Sequence, residues 1–129
     1  MEDYKTIKDL LKDLKISVKI DKSVDRGWGG NNYRCVITYK PTGDMTTALY
    51  TDSAINKNNK KPDNEDIVGC LLMDANVFAV YGYDENEWEM NFGYEKKELK
   101  HIIRECCKTY DFFANFLTND EISDLASQS

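Results

Sequence analysis

The run Tyr33-Arg34-Cys35-Val36-Ile37-Thr38-Tyr39-Lys40-Pro41-Thr42-Gly43-Asp44-Met45-Thr46-Thr47-Ala48-Leu49-Tyr50 decides the fold. Tyr33, Cys35, Ile37 and Tyr39 alternate with Arg34, Val36 and Thr38, the period-two spacing that puts one set on one face of a strand. Pro41-Thr42-Gly43-Asp44 is turn chemistry between two β-rich runs, so Met45 to Tyr50 is expected to return as a hairpin partner. Upstream, Ile16, Val18 and Ile20 alternate with Ser17 and Lys19, which supplies a third strand.

Outside this sheet the spacing becomes helical. Asp3 is placed to cap a first helix whose apolar residues are Ile7, Leu10, Leu11 and Leu14. Arg26 to Asn32, rich in glycine, and the polar stretch Thr51 to Lys61 read as loops. Pro62-Asp63 opens a second helix, with Ile67, Cys70, Leu71 and Val77 on its apolar side. Phe78 to Tyr83 is a short aromatic segment, strand or irregular, and Glu85 to Asn91 a brief helix that Gly93 ends. Leu99, Ile102, Ile103, Cys106, Tyr110, Phe113 and Leu117 then form one continuous stripe, a long helix from about Glu95 to Leu117. Thr118-Asn119-Asp120-Glu121 has the form of a capping box before a last helix through Ile122 and Leu125. The expectation is an α+β fold in which an N-terminal helix precedes a three-stranded antiparallel sheet, covered on one face by several helices.

Length and composition bound the class. A chain of 129 residues is one ordinary domain, expected to span 1–129, and 41% hydrophobic residues suffice for one core. The start Met1-Glu2-Asp3-Tyr4-Lys5 lacks the apolar run of a signal peptide, and no stretch approaches the ~18 apolar residues of a membrane span. A cytoplasmic location follows as the expectation, with no membrane partner. The four cysteines lack zinc spacing, since the only close pair is the adjacent Cys106-Cys107 and His101 is the single histidine. Reduced, mostly buried thiols are expected, and neither metal nor cofactor.

Charge is uneven. Residues 1–61 hold 12 basic and 8 acidic side chains, whereas residues 62–129 hold 5 and 15. Between Lys61 and Lys96 there is no Lys or Arg, and Asp63, Glu65, Asp66, Asp74, Asp84, Glu85, Glu87, Glu89 and Glu95 all fall there. Aromatics interleave with them: Phe78, Tyr81, Tyr83, Trp88, Phe92 and Tyr94. Acids that steer an encounter and aromatics that anchor it suit a basic partner surface. The competing account is a solvated acidic helix face over core aromatics. Duplex DNA carries one charge per ~1.7 Å, a denser field than nine acids in 34 residues, so any mimicry of nucleic acid is local. The net charge of −6 argues against direct nucleic-acid binding.

Catalytic constellations are scarce. His101 has Lys97, Glu98, Arg104 and Glu105 as helical neighbours, which places it on the solvent face. Asp74 has Cys70, Leu71, Val77 and Phe78 around it, which turns its carboxylate toward the core, where Arg34 or a tyrosine hydroxyl is the expected partner. Gly27, Gly29 and Gly30 match no phosphate-loop register, so the loop is read as a hairpin tip presenting Trp28. Lys57, Lys60 and Lys61 read as solvated.

Several segments resemble a family of small uncharacterised proteins of bacteriophages and conjugative elements. They are Tyr33-Arg34-Cys35-Val36-Ile37 with Met45-Thr46-Thr47, and Pro62 with Glu65 through Ala75, similar to P-x-x-x-D-x-L-x-C-L-x-x-D-A. Trp88 leading into Asn91-Phe92-Gly93-Tyr94, and the helix with Glu105-Cys106 and Tyr110, complete the likeness; Asp84-Glu85 departs from it where an aromatic is expected. The resemblance implies a mobile-element origin and no particular enzymatic role. Together these readings give a non-enzymatic inhibitor, of anti-CRISPR or antirestriction type. It would meet the basic surface of a host nuclease or CRISPR effector through Trp28, Tyr81, Tyr83, Asp84, Glu85, Glu87, Trp88 and Glu89, in the cytoplasm of a bacterial host. The alternatives are a ligand-binding protein with a pocket near Asp74, and an accessory or oligomerisation module; a homodimer is left open.

Overall fold

The structure, a computed structural model, describes residues 4–20, 31–52, 62–80 and 96–128. Helix α1 (Ile7–Leu11) is followed by strands β1 (Leu14–Ile20), β2 (Asn31–Tyr39) and β3 (Asp44–Asp52). Helices α2 (Asn64–Val80), α3 (Lys96–Ala114) and α4 (Asn119–Ala126) complete the chain. The sheet is antiparallel in the order β1-β2-β3, so the expected α+β architecture with a leading helix is the one observed.

Register follows from the alternation. Leu14, Ile16 and Val18 face across to Tyr39, Ile37 and Cys35, and Cys35 and Tyr33 face Ala48 and Tyr50. Tyr33, Cys35, Ile37, Ala48 and Tyr50 are all buried on this side. The β2–β3 connection is closed by the Tyr39–Asp44 pair, with Gly43 N donating to Tyr39 O at 2.8 Å. Gly43 sits at φ +77°, the left-handed backbone that an L side chain strains to adopt.

Against the buried face pack Ile7, Leu10, Ile67, Val68, Leu71, Leu72, Phe112, Phe113, Leu117, Ile122 and Leu125. Helix α2 is apolar on several sides because it touches α1, β3, α3 and α4 at once. Asp63 starts it by accepting the Asp66 N–H at 2.8 Å. Helix α3 also lies along β3 and closes that sheet edge. It reaches the second face of the sheet there: Leu49 is buried, and Lys108 Nζ donates to Thr47 Oγ1 at 2.8 Å. Farther across that face Lys15, Ser17 and Lys19 are exposed.

Several element limits differ from the sequence reading. Strand β2 begins at Asn31 and β3 runs from Asp44 to Asp52. Asn31, Asn32, Thr51 and Asp52, read as loop, and Asp44, read as turn, therefore belong to the sheet, where Asn31 pairs with Asp52 and Tyr39 with Asp44. The cap of α1 is Thr6, whose Oγ1 accepts the Asp9 N–H, rather than Asp3, which lies outside the described residues. Leu14 belongs to β1 and not to the helix stripe, because its spacing to Ile16 and Val18 serves the strand equally well. Phe78 to Val80 continue α2 rather than starting a strand. Helix α3 ends at Ala114, three residues early, where Asn115 and Phe116 N–H groups close shortened bonds to Phe112 and Phe113 carbonyls. The capping box at Thr118 and Glu121 is present as read, with both reciprocal bonds made. The remainder of the two expected loops (residues 26–30 of 26–32, and 53–61 of 51–61), the segment from Tyr81 to Tyr83 and the brief helix expected at 85–91 lie outside the described residues.

Candidate functional site

Two features carry chemistry: a polar cluster where α2, α3 and β3 meet, and the acidic exterior of α2 and α4. In the first, Arg34 leaves the second face of the sheet and its Nη1 donates to Glu105 Oε1 at 3.1 Å. Lys108 approaches the other oxygen of Glu105 at 3.5 Å. The Arg34 and Glu105 side chains are 24% and 14% exposed, so the pair is screened from bulk water. Thr109 Oγ1 donates to the Glu105 carbonyl at 2.9 Å, one turn back along the helix. Leu49, Leu71, Asp74, Glu105, Cys106 and Thr109 border a concavity of about 10 Å³. That is room for a single water, not for an organic ligand.

Asp74 is exposed, not turned into the core as expected, and the Arg34 guanidinium donates to Glu105. Helical spacing from Cys70 and Leu71 locates Asp74 correctly, but α3 packs beside it and leaves its edge open to solvent. Protein still surrounds it on enough sides that desolvation raises its carboxyl to about pKa 6. Burial pushes the Cys106 thiol up as well, and the Asp74 charge adds to this, which favours the neutral thiol over the thiolate. Cys35 is likewise buried, Cys70 is half-buried and Cys107 is exposed.

His101 is not on the open solvent face. It is half-buried, and its Nε2 is fully enclosed, because the flanking charges on its own helix say nothing of what packs over them. Nε2 of His101, Oδ1 of Asn76 and Oε2 of Glu105 are buried without a hydrogen-bond partner among the described residues. No nucleophile–base pair at hydrogen-bond distance joins His101, Asp74 and Cys106 among the described residues.

The Asp74 carboxyl sets a pH dependence. Its folded pKa lies above the ordinary 3.8, so the native state holds the proton more tightly than the unfolded chain does. The associated stability is complete below pH 3.8 and is lost as pH rises through about 6. Asp74→Asn, neutral throughout, is expected to match the wild type in melting temperature at pH 4 and to exceed it from pH 7 upward. Thermal melts by circular dichroism between pH 4 and 8 check this; a constant offset across the range would reject it.

The second feature is a pair of helices rich in acids and free of basic residues in their own sequence. Neither α2 nor α4 contains a Lys or Arg, and the two pack against each other. Asp63, Glu65, Asp66, Asp120 and Asp124 are exposed. Among the described residues the basic side chains lie elsewhere, in α1, β1, β2, α3 and the connections at Lys5, Lys12 and Lys40. Sequence reasoning found the α2 acids but not their association with α4; the signal was there, since no Lys or Arg follows Lys108. Trp28, Tyr81, Tyr83, Asp84, Glu85, Glu87, Trp88 and Glu89, the partner-binding set read from the sequence, lie outside the described residues.

Among the described residues no group of three or more His, Cys, Asp or Glu side chains is arranged to hold a metal ion, and no helix is long and apolar enough to cross a membrane. Comparison with family models, curated proteins and solved structures finds no match to this chain.

Proposed function

We propose that the protein is an inhibitor carried by a mobile genetic element, of anti-CRISPR or antirestriction kind. It docks its carboxylate-bearing surface on the basic nucleic-acid channel of a host defence nuclease and keeps the nucleic acid out. The observation that carries this reading is the packed α2–α4 pair, whose exposed carboxylates have no Lys or Arg on either helix. Carboxylates one helical turn apart stand about 5–6 Å from each other and offer a short track to a surface built for phosphates. In sequence, Asp84, Glu85, Glu87 and Glu89 extend the same charge. The alternative of a ligand pocket at Asp74 is not favoured, given a concavity of about 10 Å³.

The test is transformation of a targeted plasmid into bacteria with active CRISPR or restriction immunity, with and without this protein. The wild type is expected to raise transformants about 100-fold or more, since a tight complex with Kd near 10 nM corresponds to about −11 kcal/mol. A variant with Glu65→Gln, Asp120→Asn and Asp124→Asn, joined to Asp84→Asn, Glu85→Gln, Glu87→Gln and Glu89→Gln, should fall back to the empty-vector level while keeping its circular dichroism spectrum. Full activity in that variant would remove the acidic surface from the mechanism. No effect of the wild type on either kind of immunity would reject the inhibitor.

A further inference from the structure

The α3–α4 joint, the hairpin and the start of the chain enclose an open cleft of about 410 Å³. Its walls are aromatic. Tyr39, the last residue of β2, stacks on Phe116 with ring centroids 3.8 Å apart and planes 2° from parallel. Phe116 is held in turn by Phe112, edge-on at 5.3 Å. The Tyr4 hydroxyl donates to Asp13 Oδ2 at 2.6 Å and shares a 2.9 Å hydrogen bond with the Tyr39 hydroxyl. Burial, and then these bonds, hold the Tyr4 phenol in its protonated form. Both tyrosine rings are thus fixed in orientation before any ligand arrives.

Glu121 is the only charged residue among the described residues that line the cleft. Its Oε1 accepts the Thr118 N–H at 3.0 Å, while its second oxygen has no hydrogen-bond partner among the described residues. The capping box keeps this carboxylate in place and also occupies the Glu121 N–H, so the α4 N-terminus does not present those groups to an anion. An anion would also meet the Glu121 charge. A planar cation meets the opposite situation: aromatic rings in the wall, a carboxylate oxygen to accept its N–H groups, and no Lys or Arg among the described lining residues. Guanidinium suits this better than ammonium, because it is flat, forked and more weakly hydrated.

We propose that this cleft binds the guanidinium of an arginine presented by a protein partner, stacked among Tyr4, Tyr39 and Phe116 and paired with Glu121. That the arginine belongs to a basic partner rests on the inhibitor reading; the cleft's preference for the cation does not. The site would give a broad acidic surface one specific anchor, the role that buried arginines play in many interfaces.

The test is an amide NMR titration with acetyl-Gly-Arg-Gly-amide against the same peptide carrying citrulline, the neutral isostere. Arginine is expected to give saturable millimolar shifts centred on Tyr39, Asn115, Phe116 and Thr118, and citrulline none. Glu121→Gln keeps an oxygen for the Thr118 N–H, and so the cap, but removes the charge; it should weaken arginine binding about tenfold. Equal response to citrulline, shifts confined to the exposed carboxylates of α2 and α4, or an unchanged affinity in Glu121→Gln would each overturn the site. The plasmid assay separates the two claims. Arginine binding intact with no inhibition by the wild type rejects the inhibitor alone, whereas inhibition intact with no preference for arginine rejects the cleft alone.

Discussion

Truncation of Phe113 to alanine is expected to lower the melting temperature by about 10–20 °C. Phe113 is fully buried, and its ring meets Phe112 at 5.4 Å and Phe116 at 5.9 Å, both in edge-on geometry. Removing such a ring costs about 3–5 kcal/mol in lost transfer energy and cavity formation. A domain of this size has only about 5–15 kcal/mol of stability in total, so a large share of the native state's margin disappears. The site cannot collapse easily, because Phe113 lies on a long helix clamped between α2 and the β3 edge. Thermal melts followed at 222 nm would show the shift. Met45→Ala is the natural control, since Met45 is 64% exposed and should change stability by no more than about 0.5 kcal/mol. A fall below about 4 °C for Phe113→Ala would mean that the aromatic cluster is loosely packed.

Breaking the Arg34–Glu105 pair from one side should be the next most costly change. Arg34→Met leaves Glu105 enclosed beside Asp74, with Lys108 as its remaining cation at 3.5 Å. Glu105→Met removes the carboxylate that Arg34 and Lys108 both approach. Either single change is expected to destabilise by about 2–4 kcal/mol, because breaking a half-buried ion pair from one side loses the attraction while desolvation of the remaining charge persists. The double variant, Arg34→Met with Glu105→Met, should recover at least half of that loss, since matched apolar residues need no compensation there. Urea unfolding of all four proteins gives the coupling energy directly, expected at about 1–3 kcal/mol. Strict additivity of the two single changes would show that the pair is a surface contact of no consequence.

What could be read from the sequence was what is decided locally. The hairpin was legible because Tyr33 to Tyr50 combines a clean period of two with turn residues at its centre, and the capping box because Thr118 and Glu121 satisfy each other within one turn. Leu14 was misplaced because a residue at the junction fits the i+7 position of a helix and the first position of a strand alike. The site was less legible. Arg34 and Glu105 are 71 residues apart in the chain, and nothing in the neighbourhood of either names the other. His101 looked solvated because its own helix surrounds it with charge, whereas its enclosure depends on packing from outside the helix. The aromatic cleft was invisible for the same reason: Tyr4, Tyr39, Phe116 and Glu121 come from four different elements or connections, and each has an ordinary local role.

The central place of α2 has a bearing on synthesis. A nascent chain extended only to Val80 already carries Ile67, Val68, Leu71 and Leu72, but Phe112, Phe113, Ile122 and Leu125, which share their core, have not yet been made. At about 5–20 residues per second, the stretch from Val80 to Leu125 takes roughly 2–9 s to translate, and through that interval the helix has an apolar side with no cover. The fold therefore closes late and all at once. A premature stop anywhere before α4 would leave a product for proteases to clear rather than a smaller working domain.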